Sequence, residues 1–380
     1  MTSDVPSDIA GLRLALLKQR EYTLALYANL PDSYWRPNEF PFLSTVNPPL
    51  WELAHIGWFQ EFFALRWHEN DVEGAGVPSC LAAADKLFDS RGVAHDTRWH
   101  LNYPSRSECL DYMQRVLTEV VTKLQQSNDG DREGFQLALL HEDMHSEALA
   151  MTLTTIGLPL PGAVPQRLRL EPVVSAARQI FCEGGAVHMG ASERSFTFDN
   201  EMPVQIETIR PFSIDAQAVS AGEFTSFVCS SAFDDSSLWS AEGLAWKERV
   251  AGTSRHSEPS RHADDVAAMH VNYFQAEAYC RWISRRLPTE AEWEHAAIAH
   301  ARFANSNGHV WEWTSSPFAP RSGFREGRYR EYSQPWFHTH QVLKGGSFVT
   351  HPRLKYAQYR NFYTPDRRDM FCGFRTCAST

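Results

Sequence analysis

The chain has no apolar run of the roughly 20 residues that a bilayer-spanning helix needs, so no transmembrane helix is expected. Its first residues, MTSDVPSDIAGLRLALLKQR, bring acids early and interrupt the leucines with Arg13 and Lys18, unlike a secretory leader. No block of Lys and Arg stands out, and acids outnumber bases by 46 to 36, for a net charge of −10. A surface for nucleic acid or anionic lipid needs the opposite balance. Cysteine is scarce and scattered: Cys80, Cys109, Cys182, Cys229, Cys280, Cys372 and Cys377 are odd in number and form no C-x-x-C pair. That argues against a disulfide framework and fits reduced thiols in a cytoplasmic protein, most of them buried as small apolar groups. Internal repeats and low-complexity tracts are also missing.

What is present is apolar and aromatic. At 380 residues, 43% hydrophobic and with 12 Trp, the chain is long enough for two or three domains with proper cores. The first 155 or so residues read as helices. Ser7 is placed to cap a helix carrying Ile9, Leu12 and Leu16, and residues 48–67, 105–126 and 132–156 form three more candidates. Four long helices joined by loops predict a bundle. The character changes at LPLPGAVPQRLRLEP, residues 158–172, where the prolines and glycine cannot continue a helix. Beyond it lie short strands and loops, such as 184–192, 211–220, 307–318 and 340–351, with two helices predicted at 220–229 and 273–285.

The stretch with most chemical content is HEDMHSE, residues 141–147. His141 and His145 are one turn apart on a helix, so both rings project from one face and can reach one divalent ion. Apolar neighbours Leu137, Leu140, Met144 and Ala148 direct that face towards a bundle interior. Read as H-E-x-x-H, the motif would be a zinc peptidase with Glu142 as general base, but position 148 is Ala and the extended zincin pattern is not there. The plain alternative is that one or both histidines are hydrogen-bonded core residues. The pair spacing, with Glu147 nearby as an outer acceptor, favours a metal. His55, in the apolar PPLWELAHIGWFQEFF, is the candidate third ligand, and three His with open positions suit O2 chemistry as well as hydrolysis. His95, His100, His338 and His340 lack comparable spacing.

In the second half, RLPTEAEWEHAA (286–297), GHVWEWTSS (308–316), LKGGSF (343–348) and GFR (373–375) occur in order. They resemble the formylglycine-generating-enzyme domain, a C-type-lectin-like fold, with Trp293, Trp311 and Trp313 as core and the glycines as turn formers. The cysteine pair of those enzymes is replaced here by Thr350 and Lys355, so their copper–thiol chemistry is not expected. Together with PPLWELAHIGWFQEFF, HEDMHSEAL, REYSQPWF and RNFYTPDRRDMFCGFR, nearly the whole chain resembles the ergothioneine sulfoxide synthase family. The resemblance implies an α+β protein. A DinB-like four-helix bundle would span 1–160, a Pro-rich linker 161–175, and a formylglycine-generating-enzyme-like, C-type-lectin-like domain 176–380. It implies that His55, His141 and His145 bind non-haem Fe(II), and that O2 activation couples a sulfur donor to C2 of the imidazole of hercynine, trimethylhistidine.

This sequence departs from the family on the donor side. The family's second Gln in HEQQH, which helps to hold hercynine, is Met144; its catalytic Tyr aligns with Phe324; and its donor-carboxylate arginine region is replaced by LFDSRGVAHDTRWHLNYPSR, 87–106. The chain is also shorter between Ala297 and Asn307. This pattern is similar to the selenoneine synthase branch, which implies a selenosugar donor and a C–Se bond. On that reading Met144, Asn361 and Phe362 contact hercynine, with Asn361 on its carboxylate and Phe362 on its methyl groups. Arg91, His95, Asp96, Arg98, Tyr103, Phe324 and Arg367 are donor-side candidates, and Tyr329 and Tyr332 are candidate acids. Each has a packing or surface role as its alternative. An ergothioneine-type enzyme using cysteine or γ-glutamylcysteine is the second reading, and a metal-containing carbohydrate-binding module without catalysis is the third. Oligomeric state is left open.

Overall fold

A computed structural model describes residues 5–28, 30–70, 76–127, 132–162, 178–191, 194–251, 264–304 and 308–379. The chain divides into two units, residues 1–165 with 194–196, and 166–193 with 197–380. The expected linker, 161–175, falls outside the described residues from 163 onward.

The first unit is built from α1 (Ile9–Tyr27), α2 (Pro49–Glu61), α3 (Ala84–Phe88), α4 (Arg106–Gln126) and α5 (Glu133–Thr155). Helix α2 packs against α4 and α5, and α1 packs against α5 and α4, which makes a four-helix arrangement with α3 as an addition. Helix α1 is capped by Asp8 rather than by Ser7: the Asp8 carboxylate accepts from Gly11 N at 2.7 Å. Aspartate caps as well as serine does and adds favourable charge at the helix N-terminus. Helix α4 starts on a capping box between Ser105 and Glu108.

The continuous helix expected over 48–67 is not continuous. It is α-helical to Glu61 and then widens into a π-turn over Phe62–Arg66, with Trp67 N bonded to Phe62 O at 2.7 Å. Gly134, at the start of α5, passes so close that a Cβ there would lie 2.3 Å from Phe63 O, so only glycine fits. Every residue of α2 is buried, which makes it the central element of the unit. Its polar residues Glu52, His55, Gln60 and Glu61 must therefore find partners inside the protein.

The second unit contains β1 (Gln179–Cys182), β2 (Gly185–Met189), β3 (Gln205–Ile209), β4 (Phe212–Asp215), α6 (Ala221–Val228), α7 (Ala241–Val250), α8 (Tyr273–Trp282), α9 (Glu290–Ala299), α10 (Ala301–Ala304), β5 (Trp311–Pro317), β6 (Gln341–Lys344), β7 (Asn361–Tyr363), β8 (Cys372–Gly373) and β9 (Cys377–Ser379). The strands form a three-stranded sheet β1-β4-β9, a β2-β3 hairpin and a four-stranded sheet β7-β6-β5-β8 in which only β5 and β8 run parallel. The two predicted helices are α6 and α8; α7 and α9 were not predicted. Helix α9 lies in RLPTEAEWEHAA and begins on a Thr289–Glu292 capping box, a signal the sequence did carry. Gly345 and Gly346, after β6, both take positive φ, 95° and 81°, as turn residues.

Trp293, Trp311 and Trp313 are buried in this unit, and its irregular chain is held by buried ion pairs. Arg375 grips Glu312 at 2.5 and 2.7 Å, and Trp293 Nε1 donates to the same carboxylate at 2.7 Å. Glu290 takes Arg360 at 2.8 Å and Arg321 at 3.2 Å, while Lys344 reaches Glu294 at 3.0 Å. Of the cysteines, Cys109, Cys182, Cys280, Cys372 and Cys377 are buried and all seven are free thiols. No helix among the described residues is long and apolar enough to cross a membrane.

Candidate metal centre

Helix α5 presents His141 and His145 one turn apart, and α2 brings His55 against them. Their ligand nitrogens all lie within 4.8 Å of one another, and the ring centroids are 4.4 Å apart for His141–His145, 5.1 Å for His55–His141 and 5.0 Å for His55–His145. His55 and His141 are buried, and His145 is partly open. Trp51 stacks on His55 at 4.7 Å and 9°, and Phe59 stacks on His141 at 3.4 Å and 4°. Burial holds the pKa of both His55 and His141 well below the ordinary value, with the neighbouring His145 lowering them further. These two rings are therefore neutral at pH 7 and have a lone pair to give.

Two rings have their orientation set. The Nδ1 of His55 donates to the Phe88 carbonyl at 2.7 Å, and Nδ1 of His145 donates to the Glu52 carboxylate at 2.8 Å. Both oxygens are acceptors, so each Nδ1 carries the hydrogen and each Nε2 is left to bind a metal. Bonds of about 2 Å to a common ion need nitrogens no more than about 4 Å apart, so an inward shift of about an ångström completes the set. Among the described residues no fourth His, Cys, Asp or Glu joins the cluster. A structural zinc site is ordinarily closed by four ligands; three imidazole nitrogens leave positions open. The residues present thus fit a divalent transition metal with room for exogenous ligands.

Glu142 does not serve as the base of a zincin. It is fully buried and clamped by Arg20, through Nε at 2.8 Å and Nη2 at 3.1 Å, on the α1 side. Nor is Glu147 the carboxylate on His145; that acceptor is Glu52. Residues i and i+2 do not share a helix face, and Glu147 instead lies in range of Tyr22 on α1, whose pKa it raises after burial. Glu52 was missed, although its signal was legible: a glutamate three residues before His55 in an otherwise apolar helix has to have a partner inside.

The segment 87–106 packs on α2. Trp51 Nε1 donates to Leu87 O at 2.8 Å, beside the Phe88–His55 bond. The Arg98 guanidinium lies 3.7 Å from the Trp51 ring centre and donates to Asn47 Oδ1 at 2.7 Å and to Val93 O at 3.1 Å. Arg91 is paired with Asp89 at 2.8 Å and stacks over Phe62 at 4.8 Å. His95 Nε2 donates to Val46 O at 2.8 Å, and Tyr103 donates to Arg98 O at 2.6 Å. Asp96 is largely exposed beside His95. Arg91, Arg98, His95 and Tyr103, expected from sequence as donor-side residues, all have protein partners here, and the segment reaches the centre through the Phe88 carbonyl and through Arg98, whose charge helps to lower the pKa of His55.

Comparison with known proteins follows the same division. Residues 15–148 match the DinB superfamily, and residues 166–307 and 302–380 match the sulfatase-modifying factor enzyme 1-like domain. The hercynine oxygenase of Mycobacterium tuberculosis is 30% identical, over 87% of this chain and 90% of that protein. The chain belongs to the hercynine oxygenase family. The enzyme of the same name from Mycolicibacterium smegmatis is 29% identical over 94% of this chain and 96% of its own. The formylglycine-generating enzyme of Streptomyces coelicolor is 28% identical over 59% of this chain and 96% of its own. The fold is therefore a DinB-type helical domain followed by a sulfatase-modifying factor domain.

In the second unit of this family member, residues singled out from sequence meet in one aromatic chain. Phe362 stacks on Phe318 at 4.0 Å and meets Tyr332 edge-on at 5.8 Å. Phe337 touches both Phe318 at 4.9 Å and Phe324 at 5.2 Å, and Tyr329 lies 5.8 Å from Tyr332. Tyr332 shares a hydrogen bond with Tyr359 at 3.0 Å, and burial raises its pKa well above the phenolic value. Asn361 Oδ1 accepts from Phe362 N at 2.9 Å. Arg367 is held by Asp369 at 2.5 and 2.7 Å. Met144, in the first unit, is half-buried between the two α5 histidines in sequence.

Proposed function

We propose that this chain is a non-haem Fe(II), O2-dependent enzyme that joins a selenosugar to C2 of the hercynine imidazole, the selenoneine synthase reaction. The observation that carries the reading is the open three-imidazole cluster in a chain of the hercynine oxygenase family. The overall change replaces C2–H and Se–H by C2–Se. Two electrons and two protons leave, and O2 is their acceptor. His55, His141 and His145 hold the metal, which when bound supplies one-electron chemistry with O2.

The protein's own residues orient and exclude. Phe88 O and Glu52 fix two ligand rings, while Trp51 and Phe59 keep water from the inner faces. A trimethylammonium group cannot donate a hydrogen bond and takes aromatic faces, each worth about 0.5–2 kcal/mol; Phe362 is proposed for it. With its oxygen already accepting from Phe362 N, Asn361 has its amide nitrogen to offer the substrate carboxylate. Tyr332, hydrogen-bonded to Tyr359 and with Tyr329 as its neighbour, is proposed as the proton donor. Met144 stands where a hydrogen-bonding side chain would otherwise meet hercynine.

The choice of a sugar donor rests on what this chain does with its cations. Arg91, Arg98 and Arg367 already hold protein acceptors, and Phe324 has no hydroxyl. A selenosugar brings no amino-acid carboxylate to be clamped. The test is anaerobic reconstitution with Fe(II), then O2, hercynine and an equal mixture of selenosugar, thiosugar, cysteine and γ-glutamylcysteine, read by mass spectrometry. A hercynine–selenium adduct formed first supports the reading. Preference for a thiol amino acid makes this an ergothioneine-type enzyme. No adduct, with zinc tightly held and no O2 consumed, returns it to a non-catalytic module.

A further inference from the structure

The carboxylates on and around α2 are not alike. Glu61 accepts from Tyr112 at 2.7 Å, from Ser79 at 2.6 Å and from Cys80 N at 2.7 Å, with Arg66 at 3.8 Å. Glu142 has Arg20. Glu52 is as buried as either, at 1% exposure, yet among the described residues its carboxylate makes one hydrogen bond, to Nδ1 of His145. A buried carboxylate without a cation is costly unless something else supplies positive charge. The groups in front of it are imidazoles whose nitrogens converge within 4.8 Å.

We infer that Glu52 is the positioning residue of the metal centre, the buried anion that locks His145 with Nε2 facing the cluster and offsets the charge of a divalent cation held there. A carboxylate on Nδ1 makes an imidazole a stronger donor than a carbonyl does. His145, on Glu52, and His55, on the Phe88 carbonyl, are therefore unequal ligands, and His145 is the one that sets affinity. Glu52 touches neither substrate nor metal; it acts through His145. The inference rests on the metal reading of the three histidines, and not on which donor the enzyme uses.

Purified metal-free protein is titrated anaerobically with Co(II), following the visible ligand-field bands, and with Fe(II) in competition with a chelator. Wild type is compared with Glu52→Gln, Glu52→Asp and Glu61→Gln. Expected for Glu52→Gln, which keeps the shape and removes the charge, is a loss of about 10–100-fold in affinity with altered Co(II) bands. Glu52→Asp, which keeps the charge, falls between it and wild type. Glu61→Gln lowers the melting temperature of the metal-free protein and leaves affinity unchanged, as a purely structural carboxylate should. The inference is overturned if Glu52→Gln binds Co(II) within about twofold of wild type with the same spectrum, while its metal-free form melts as wild type does. If wild type itself takes up neither ion, the metal reading falls and the inference with it.

Discussion

The histidine cluster of the helical unit and the ion pairs of the second unit both bury polar groups, but they use them in opposite ways. In the second unit charges close on one another. Glu312 is surrounded by Arg375 and Trp293, and Glu290 by Arg360 and Arg321, so each carboxylate has its countercharge beside it. At His55 and His145 the polar network stops one bond short, although Glu61 and Glu142 on the same two helices are closed by their own partners. Phe88 O and Glu52 satisfy the outer nitrogen of an imidazole and leave the inner one unbonded towards the cluster. A closed network of this kind specifies a fold, whereas an open one binds something.

The comparison breaks most sharply at its two extremes. Replacing His141 or His145 by Ala is expected to abolish stoichiometric metal uptake and reduce product to background, with the helical content of the chain retained. Metal analysis with circular dichroism checks this. Replacing Arg375 by Met should do the converse, costing about 3–5 kcal/mol of stability by stranding a buried Glu312, seen as a lower urea midpoint. If the Arg375 variant lost metal binding and stayed stable, the division into open and closed networks would be wrong.

Glu142→Gln sharpens the contrast inside the helical unit. It breaks the Arg20 clamp and should cost about 3 kcal/mol of stability while leaving metal stoichiometry intact. Loss of metal at unchanged stability would instead restore a catalytic role to that glutamate.

Acid should act on both units. His55 and His141 are held well below the ordinary histidine pKa by burial, and His351, in the second unit, is pushed down to about 3, by burial first and then by Arg353 and Lys355. Below about pH 6.5 the unfolded chain takes protons that the fold refuses, so stability present at neutral pH is lost as pH falls from 6.5 towards those lower values. Each group contributes at most about 1.4 kcal/mol per pH unit, and urea midpoints at pH 7, 6 and 5 measure the slope. His351→Asn should flatten it in part, because an amide oxygen can still accept from Arg353 N as Nδ1 does at 3.2 Å. The smallest effect is expected at Arg98. Arg98→Met should cost about 1–2 kcal/mol through the Trp51 stack and leave the KM for the donor nearly unchanged. A large rise in that KM at full stability would return Arg98 to the donor site.

Much of the site was legible and much of its control was not. The His141–His145 pair follows from the helical repeat, and the capping boxes at Ser105 and Thr289 mark helix starts in plain sight. The π-turn after Glu61 was invisible, because Phe62–Arg66 has the composition of ordinary helix and is shaped by its packing partners. Offering Glu147 as the outer acceptor followed chain proximity, whereas the carboxylate on His145 lies 93 residues away. Arg91 and Arg98 were named from sequence as donor-side candidates; their protein partners, Asp89 and Phe62 for one and Asn47 and Trp51 for the other, were not legible there.

By itself the sequence determined where the long helices of the first unit lie, the order of the two domains and the face that carries two histidines, because these depend on local periodicity and on residues a turn apart. The tertiary structure alone decided that Glu52 and the Phe88 carbonyl aim two rings of the cluster, and that Glu142 belongs to Arg20, 122 residues distant. Those are pairings between elements, and which buried donor meets which buried acceptor is settled by how whole helices pack.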